Sequence, residues 1–200
     1  MIPVEADKSN GYERNAEEFM RRRNQKIGVA TVREWCRGLP AGCAVLELGC
    51  GYGEPISQVL IDEGLNLYAV DASQKMIEAF RSRFPGVPAE CCAAEDSRFF
   101  DRMFDAVIAW GLMFLLPAET QPLIIAKAAR ALNPGGRLLF TAPKQAQTWT
   151  DVLTRLESVS LGQERYEEIL RAEGLEITGD AVDEGENYYY LAVKLAASGV

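Results

Sequence analysis

The sequence predicts an α/β fold: a mostly parallel sheet with helices on both faces, ending in an antiparallel hairpin. Three observations carry that expectation. Short β-rich runs alternate with helical stretches of about ten residues, the pattern of parallel strands joined by crossover helices. The first run ends in a glycine cluster, Gly49-Cys50-Gly51-Tyr52-Gly53, at the strand end where open α/β sheets hold ligands. The last two runs, Leu175 to Val182 and Tyr188 to Leu195, are separated only by Asp183-Glu184-Gly185-Glu186-Asn187. That is too short for a crossover helix, so the two must pair antiparallel.

Taken in order, Glu13 to Trp35 mixes charge with apolar positions, and Ile27, Ala30, Thr31 and Trp35 share one helical stripe, predicting one or two opening helices. Cys43 to Leu48 (CAVLEL) reads as a short buried strand, and a helix from about Pro55 to Glu63 is closed by Gly64. Leu67 to Val70 is the next strand, after which Ser73 caps a helix running to Phe84 and Pro85-Gly86 ends it. A strand near Ala89 to Cys92 precedes a clearer one from Phe104 to Trp110. Glu119 to Leu132 forms a helix that tolerates Pro122 because it falls in the first turn. Asn133-Pro134-Gly135-Gly136 is expected to stop it, leaving Arg137 to Ala142 as a buried strand. Ser160 is then expected to cap a helix from about Leu161 to Glu173, which Gly174 ends.

The 200 residues, 48% hydrophobic, fit one domain over 1–200 with a single core, comprising an N-terminal helical cap over 1–40 and a substrate-side insertion over 143–162. The net charge of -8 repels phosphate backbones and anionic bilayers, so neither nucleic acid nor membrane is expected as a partner. The basic cluster Arg21, Arg22, Arg23 and Lys26 reads as a solvated face, because Glu13, Glu17 and Glu18 stand at helical pairing distance. The absence of histidine excludes histidine-ligated metals, Ser-His-Asp triads and an imidazole base, and no metal site is expected. Five cysteines without a CxxC pair read as reduced thiols of a cytoplasmic protein, with Cys91 and Cys92 as buried apolar packing. No window reaches the ~18 apolar residues of a membrane span, and the N-terminus lacks the apolar stretch of a signal peptide.

In the loop Glu47-Leu48-Gly49-Cys50-Gly51-Tyr52-Gly53, alternate glycines let the backbone turn tightly and approach a ligand. A dinucleotide fingerprint would place its third glycine at position 54, where Glu54 brings a negative charge toward the pyrophosphate, so NAD and FAD are disfavoured. No Lys-Ser/Thr pair follows, which excludes a phosphate-cradling P-loop. Asp71, 18 residues beyond Gly53, either caps the following helix or accepts hydrogen bonds from both hydroxyls of a ribose. Because Ser73 can supply the cap, Asp71 is assigned to the ribose.

Five segments in this order resemble the class I S-adenosylmethionine-dependent methyltransferases: ELGCGYG, AVDAS at Ala69 to Ser73, Ala94-Glu95-Asp96, FDAVIAWG at Phe104 to Gly111, and LNPGGRLLF at Leu132 to Phe140. The resemblance implies a seven-stranded, Rossmann-like sheet of the small-molecule type. It also implies S-adenosyl-L-methionine as cofactor, leaving as S-adenosyl-L-homocysteine. By the same resemblance Glu47 and the backbone of Gly49, Cys50, Gly51 and Gly53 hold the methionine part, and Asp71 binds the ribose. Ala72 and Met76 border the adenine, Ala94 offers its amide, and either Glu95 or Asp96 accepts from the exocyclic amine; Ala93 stands where many members carry Asp. Ala109 and Trp110 would lie beside the reacting sulfonium, with core packing the alternative for Trp110. Tyr12 in Tyr12-Glu13-Arg14-Asn15-Ala16 either covers the cofactor, as in the opening helix of small-molecule members, or simply packs.

Methyl transfer is an in-line displacement at an activated carbon, so alignment and removal of water can supply much of the acceleration. Without histidine an aliphatic alcohol is a poor acceptor, and an aromatic or heteroaromatic metabolite methylated at nitrogen, sulfur or an acidic oxygen is the expected small-molecule substrate. Trp110, Met113, Phe114, Trp149, Asp151 and Tyr188 are the candidate substrate contacts, with Thr150, Arg155, Asn187 and Tyr189 as weaker ones; an amphipathic helix in the insertion is the alternative for Trp149 and Asp151. A peptide or RNA methyltransferase, or a non-catalytic S-adenosylmethionine-binding subunit, would share the cofactor site and differ in the acceptor pocket.

Overall fold

The computed structural model describes residues 7–196. Ahead of the sheet lie two helices, α1 (Tyr12–Arg22) and α2 (Val29–Cys36). The sheet begins at β1 (Ala44–Leu48), every residue of which is buried. Then come α3 (Ile56–Asp62), β2 (Asn66–Asp71), α4 (Gln74–Arg83), β3 (Ala89–Cys91), β4 (Phe104–Ala109), α5 (Thr120–Ala131), β5 (Leu132–Thr141), β6 (Gln147–Thr150), β7 (Glu157–Ser160), α6 (Gln163–Ala172), β8 (Leu175–Val182) and β9 (Tyr188–Lys194).

Seven of the strands form one sheet in the order β3-β2-β1-β4-β5-β9-β8, with β9 antiparallel to both β5 and β8. The fold therefore has the predicted form, including the terminal hairpin. Side chains of a strand alternate between faces, and β1 feeds two cores. Leu46 and Leu48 join the side holding Ile125 of α5 and Leu170 of α6. Val45 joins the side holding Val32 of α2, Leu60 of α3 and Phe80 of α4. Strands covered on both faces need continuous apolar runs, which explains AVLEL and FDAVIA. The β8–β9 turn is organised by Asp183, whose Oδ1 accepts from Gly185 N at 2.9 Å and Asn187 N at 3.0 Å.

Two sequence expectations need correction, and one alternative falls. The helix ends at Ala131 and the chain is already extended at Leu132, so Asn133-Pro134-Gly135-Gly136 lies within β5. Leu132 pairs with Phe104 and is fully buried, and the register shift between Phe104 and Ala106 absorbs the extra residues. The insertion after Pro143 holds no helix: β6 and β7 make a separate antiparallel pair with Trp149 opposite Ser158. The β-favouring Thr148-Trp149-Thr150 and a turn closed by Asp151, which accepts from Leu153 N at 2.9 Å and Thr154 N at 2.7 Å, account for this. Ser160 accordingly ends β7 and does not cap α6; its Oγ donates to Pro143 O at 2.6 Å, and Gly162 precedes the helix.

Leu46 sits at the middle of β1, an interior strand of the sheet, with no exposed surface. Leu46→Ala is expected to lower the unfolding free energy by about 2–5 kcal/mol, measured by urea denaturation with an unchanged denaturant slope.

Candidate active site

At the carboxyl end of β1 the chain must reverse over the sheet edge into α3. Gly49 N and Cys50 N donate to Val70 O at 2.8 and 3.2 Å, tying the loop to β2. Gly53 has φ +93°, and a Cβ there would lie 2.3 Å from the Phe84 ring, so only glycine fits. Asp71, at the end of β2, clasps the same loop: its Oδ2 accepts from Gly51 N at 2.8 Å and its Oδ1 from Ser73 N at 2.9 Å. Ser73 caps α4 as predicted, accepting from Met76 N at 3.2 Å. Two oxygens with two lone pairs each leave Asp71 further accepting capacity.

Helix α1 lies across these strand ends. Its Glu13 carboxylate accepts from Ser73 Oγ at 2.6 Å and Lys75 N at 3.1 Å, at the amino end of α4 where helix charge favours an anion. Tyr12 and Phe19 meet edge to face with centroids 5.3 Å apart. On the far side, Trp110 follows β4. Its Nε1 donates to Tyr189 Oη at 2.5 Å, and that phenol donates to Asp183 Oδ2 at 2.7 Å. The guanidinium of Arg23 stacks over Trp110 at 4.2 Å.

These elements enclose a cavity of about 300 Å³. Its wall carries Tyr12, Glu47, Gly49, Cys50, Gly51, Asp71, Ala72, Met76, Ala94, Glu95, Trp110 and Phe114 from the sequence-nominated set. Gly53, Asp96, Ala109, Met113, Trp149, Asp151 and Tyr188 are not on it. Asp96 instead pairs with Lys8, and Met113 is core. Trp149 backs Phe114 from outside, centroids 5.6 Å apart, Asp151 is consumed by its turn, and Tyr188 Oη donates to Asp180 at 2.7 Å.

Sequence reasoning missed Arg23 and Asn10, both on the wall. Arg23 was expected on a solvated face. In fact Arg21 and Arg22 pair with Glu18, whereas Arg23 turns inward. Its spacing behind Tyr12 and Phe19, seven and then four residues on one helical stripe, is the signal that could have found it. Cys91 and Cys92 are also corrected: β3 is a three-residue edge strand, so Cys91 is exposed and Cys92 reaches the cavity.

Burial dominates the electrostatics. It pushes the Glu47 carboxyl up to about 8, against a hydrogen bond from Ser57 Oγ at 2.5 Å. It also raises Asp71, opposed by the Ser73 and Gly51 amides, and pushes the Tyr12 phenol up to about 12. Among the described residues three polar atoms of the wall are buried without partners: Asn10 Nδ2, Arg23 Nε and Glu95 Oε2. Such orphans are costly unless something from outside meets them. A polar cleft at the strand ends, with carboxylates at β1 and β2 and an unmatched cation facing them, suits a zwitterionic nucleoside.

Sheet order, glycine loop and carboxylate together define the class I methyltransferase fold. Residues 45–136 match a family model described as a methyltransferase domain. An uncharacterised methyltransferase of Mycobacterium bovis is 36% identical over 102 residues, covering 50% of this chain and 40% of that protein. The 27-O-demethylrifamycin SV methyltransferase of Amycolatopsis mediterranei is 30% identical over 154 residues, 69% of this chain and 56% of that one. The chain thus spans about half the length of these curated relatives, or less. A crystal structure of magnesium protoporphyrin IX methyltransferase from Synechocystis PCC 6803 superposes with a TM-score of 0.76 at 18% identity, covering 97% of this chain and 100% of that one. Residues 45–136 thus carry a methyltransferase domain, and the fold is that of the class I S-adenosylmethionine-dependent methyltransferases.

Glu47 supplies a test of the cavity's electrostatics. Its folded-state value of about 8 lies above the ordinary 4.5, so the fold favours the protonated carboxyl, and that contribution is complete below pH 4.5 and lost as pH rises through about 8. In ligand-free protein, wild type should lose stability relative to Glu47→Gln across this window, by at most about 1.4 kcal/mol per pH unit. Chemical denaturation at a series of pH values measures the difference.

Proposed function

We propose that this protein transfers the methyl group of S-adenosylmethionine to a small aromatic or heteroaromatic acceptor, at nitrogen, sulfur or an acidic oxygen, in the cytoplasm. The observation that carries the reading is the mixed lining of the cavity: polar groups at the ends of β1 to β3, and apolar Trp110, Leu112, Phe114 and Leu116 from the segment after β4. The relatives named above, a rifamycin and a porphyrin methyltransferase, support a small-molecule acceptor.

On this reading Asp71 accepts from the ribose hydroxyls, with Ala72 and Met76 against the adenine. Ala94 donates its amide to the base, and Glu95 rather than Asp96 accepts from the exocyclic amine, because Glu95 Oε2 is the buried carboxylate oxygen without a partner on the wall. Glu47 and the loop backbone from Gly49 to Gly51 hold the methionine part. Arg23 takes its carboxylate, which satisfies the orphaned Nε. When bound, the cofactor supplies a methyl carbon activated by positive sulfur. The protein's part is alignment and exclusion of water, with α1 closing one side and Trp110 the other. Tyr12, raised to about 12, keeps its proton near neutrality and serves as a wall and donor. An acceptor with an available lone pair therefore needs no base from the protein.

Calorimetry with S-adenosylmethionine should show Asp71→Ala weakening binding by at least ~1.5 kcal/mol, about tenfold. Unchanged affinity would remove the ribose role. Arg23→Met should cost about tenfold for S-adenosylmethionine and leave decarboxylated S-adenosylmethionine unaffected; equal losses for both ligands would refute the carboxylate assignment. Methyl-labelled cofactor offered with pooled aromatic amines, thiols, phenols and N-heterocycles tests the acceptor. Label arriving only in a peptide or RNA pool overturns the small-molecule reading.

A further inference from the structure

Lys127, on α5, is absent from the cavity wall and from every ion pair among the described residues. Its ammonium is spent on backbone: Nζ donates to Ala94 O at 2.9 Å, to Glu95 O at 3.0 Å and to Ser97 O. It also lies over the Phe99 ring at 4.4 Å. Three carbonyls of one short loop converging on a single cation dictate where the loop's amides face. In a trans peptide the carbonyl and the following N–H point in opposite directions. With Ala94 O turned to Lys127, Glu95 N–H faces away from it. Ala93 O is likewise turned into the loop, accepting from Asp96 N at 3.0 Å and Ser97 N at 2.9 Å, so Ala94 N–H faces outward too. Neither Ala94 N nor Glu95 N has a protein partner among the described residues, and both residues lie on the cavity wall.

Two outward amide donors beside the unpartnered Glu95 Oε2 make a donor-and-acceptor edge. Adenine presents the complement, an N1 lone pair next to an exocyclic amine. Hypoxanthine reverses both, with N1–H next to a carbonyl. We infer that Lys127 is a positioning residue for base recognition: by holding the Ala94, Glu95 and Ser97 carbonyls it turns the Glu95 amide toward the cavity, steadies the turn whose Ala93 carbonyl orients the Ala94 amide, and so sets the preference for adenine. A bound cation also polarises the peptide groups it holds, which strengthens their N–H donors. The inference rests on the proposed S-adenosylmethionine site and adds to it a residue that touches neither cofactor nor acceptor.

The test is titration calorimetry of S-adenosylhomocysteine against S-inosylhomocysteine. Wild type should bind the adenine form at least tenfold more tightly. Lys127→Met should narrow that ratio to within about threefold, and Lys127→Arg, which keeps the charge, should restore part of it. A folded Lys127→Met that keeps the wild-type ratio, including by losing affinity for both ligands equally, overturns the inference, since a merely structural lysine would act that way. If Lys127→Met does not fold, Lys127→Gln is read by the same ratio and the same criterion. Wild type that binds both ligands equally overturns the inference while leaving the cofactor site standing. Wild type that binds neither overturns the proposed function itself, and the inference with it.

Discussion

The Asp71 carboxylate is the point at which strand ends become a site. With Gly51 N on one oxygen and Ser73 N on the other, it fastens the loop after β1 to the start of α4. Those two segments come from different crossover units, and their relative position decides whether a cavity exists between them. Burying this anion is unfavourable, as its raised pKa records. The two amide donors offset the cost only in part, and donors from a ribose would complete its coordination. On the proposed reading, fold and ligand would share this one acceptor.

The same logic governs the whole cavity. Glu47, Asp71 and Glu95 contribute acidic groups, and Lys8 and Arg23 are the two cations of the described wall. Lys8 answers Asp96 and Glu95 beyond the end of β3. Arg23 lays its guanidinium against the aromatic faces of Trp110 and Phe19 and feels the Asp183 carboxylate through space. The site is therefore polarised along its length. A ligand carrying a carboxylate and a hydroxylated sugar would find a cation and an accepting carboxylate at separate places along the wall.

Much of this was readable in advance because the signals were local. Apolar runs fixed β1, β2 and β4, Ser73 announced α4, and five intervening residues forced β8 and β9 to pair antiparallel. What escaped depended on distant contacts. Nothing near Asn133 reveals that Leu132 must reach Phe104, which extends β5 back to the end of α5. The insertion looked equally compatible with a helix until Trp149 found Ser158 across a turn held by Asp151. Arg23 sat in a charged triplet and was hidden by its neighbours. Lys127 gave no sign at all, because its partners are carbonyls, and backbone acceptors leave no mark on a sequence.

The place of β9 bears on how this protein is made. The strand lies between β5 and β8, yet it leaves the ribosome after both. The sheet can therefore grow outward from β1 as far as β5 during synthesis, while β8 must wait, because its only route into the sheet is through a partner still inside the exit tunnel. Tyr189, which holds the Trp110 indole, arrives with that final strand. The loops after β1, β2 and β3 can thus be in place on the nascent chain before Tyr189 is there to hold Trp110.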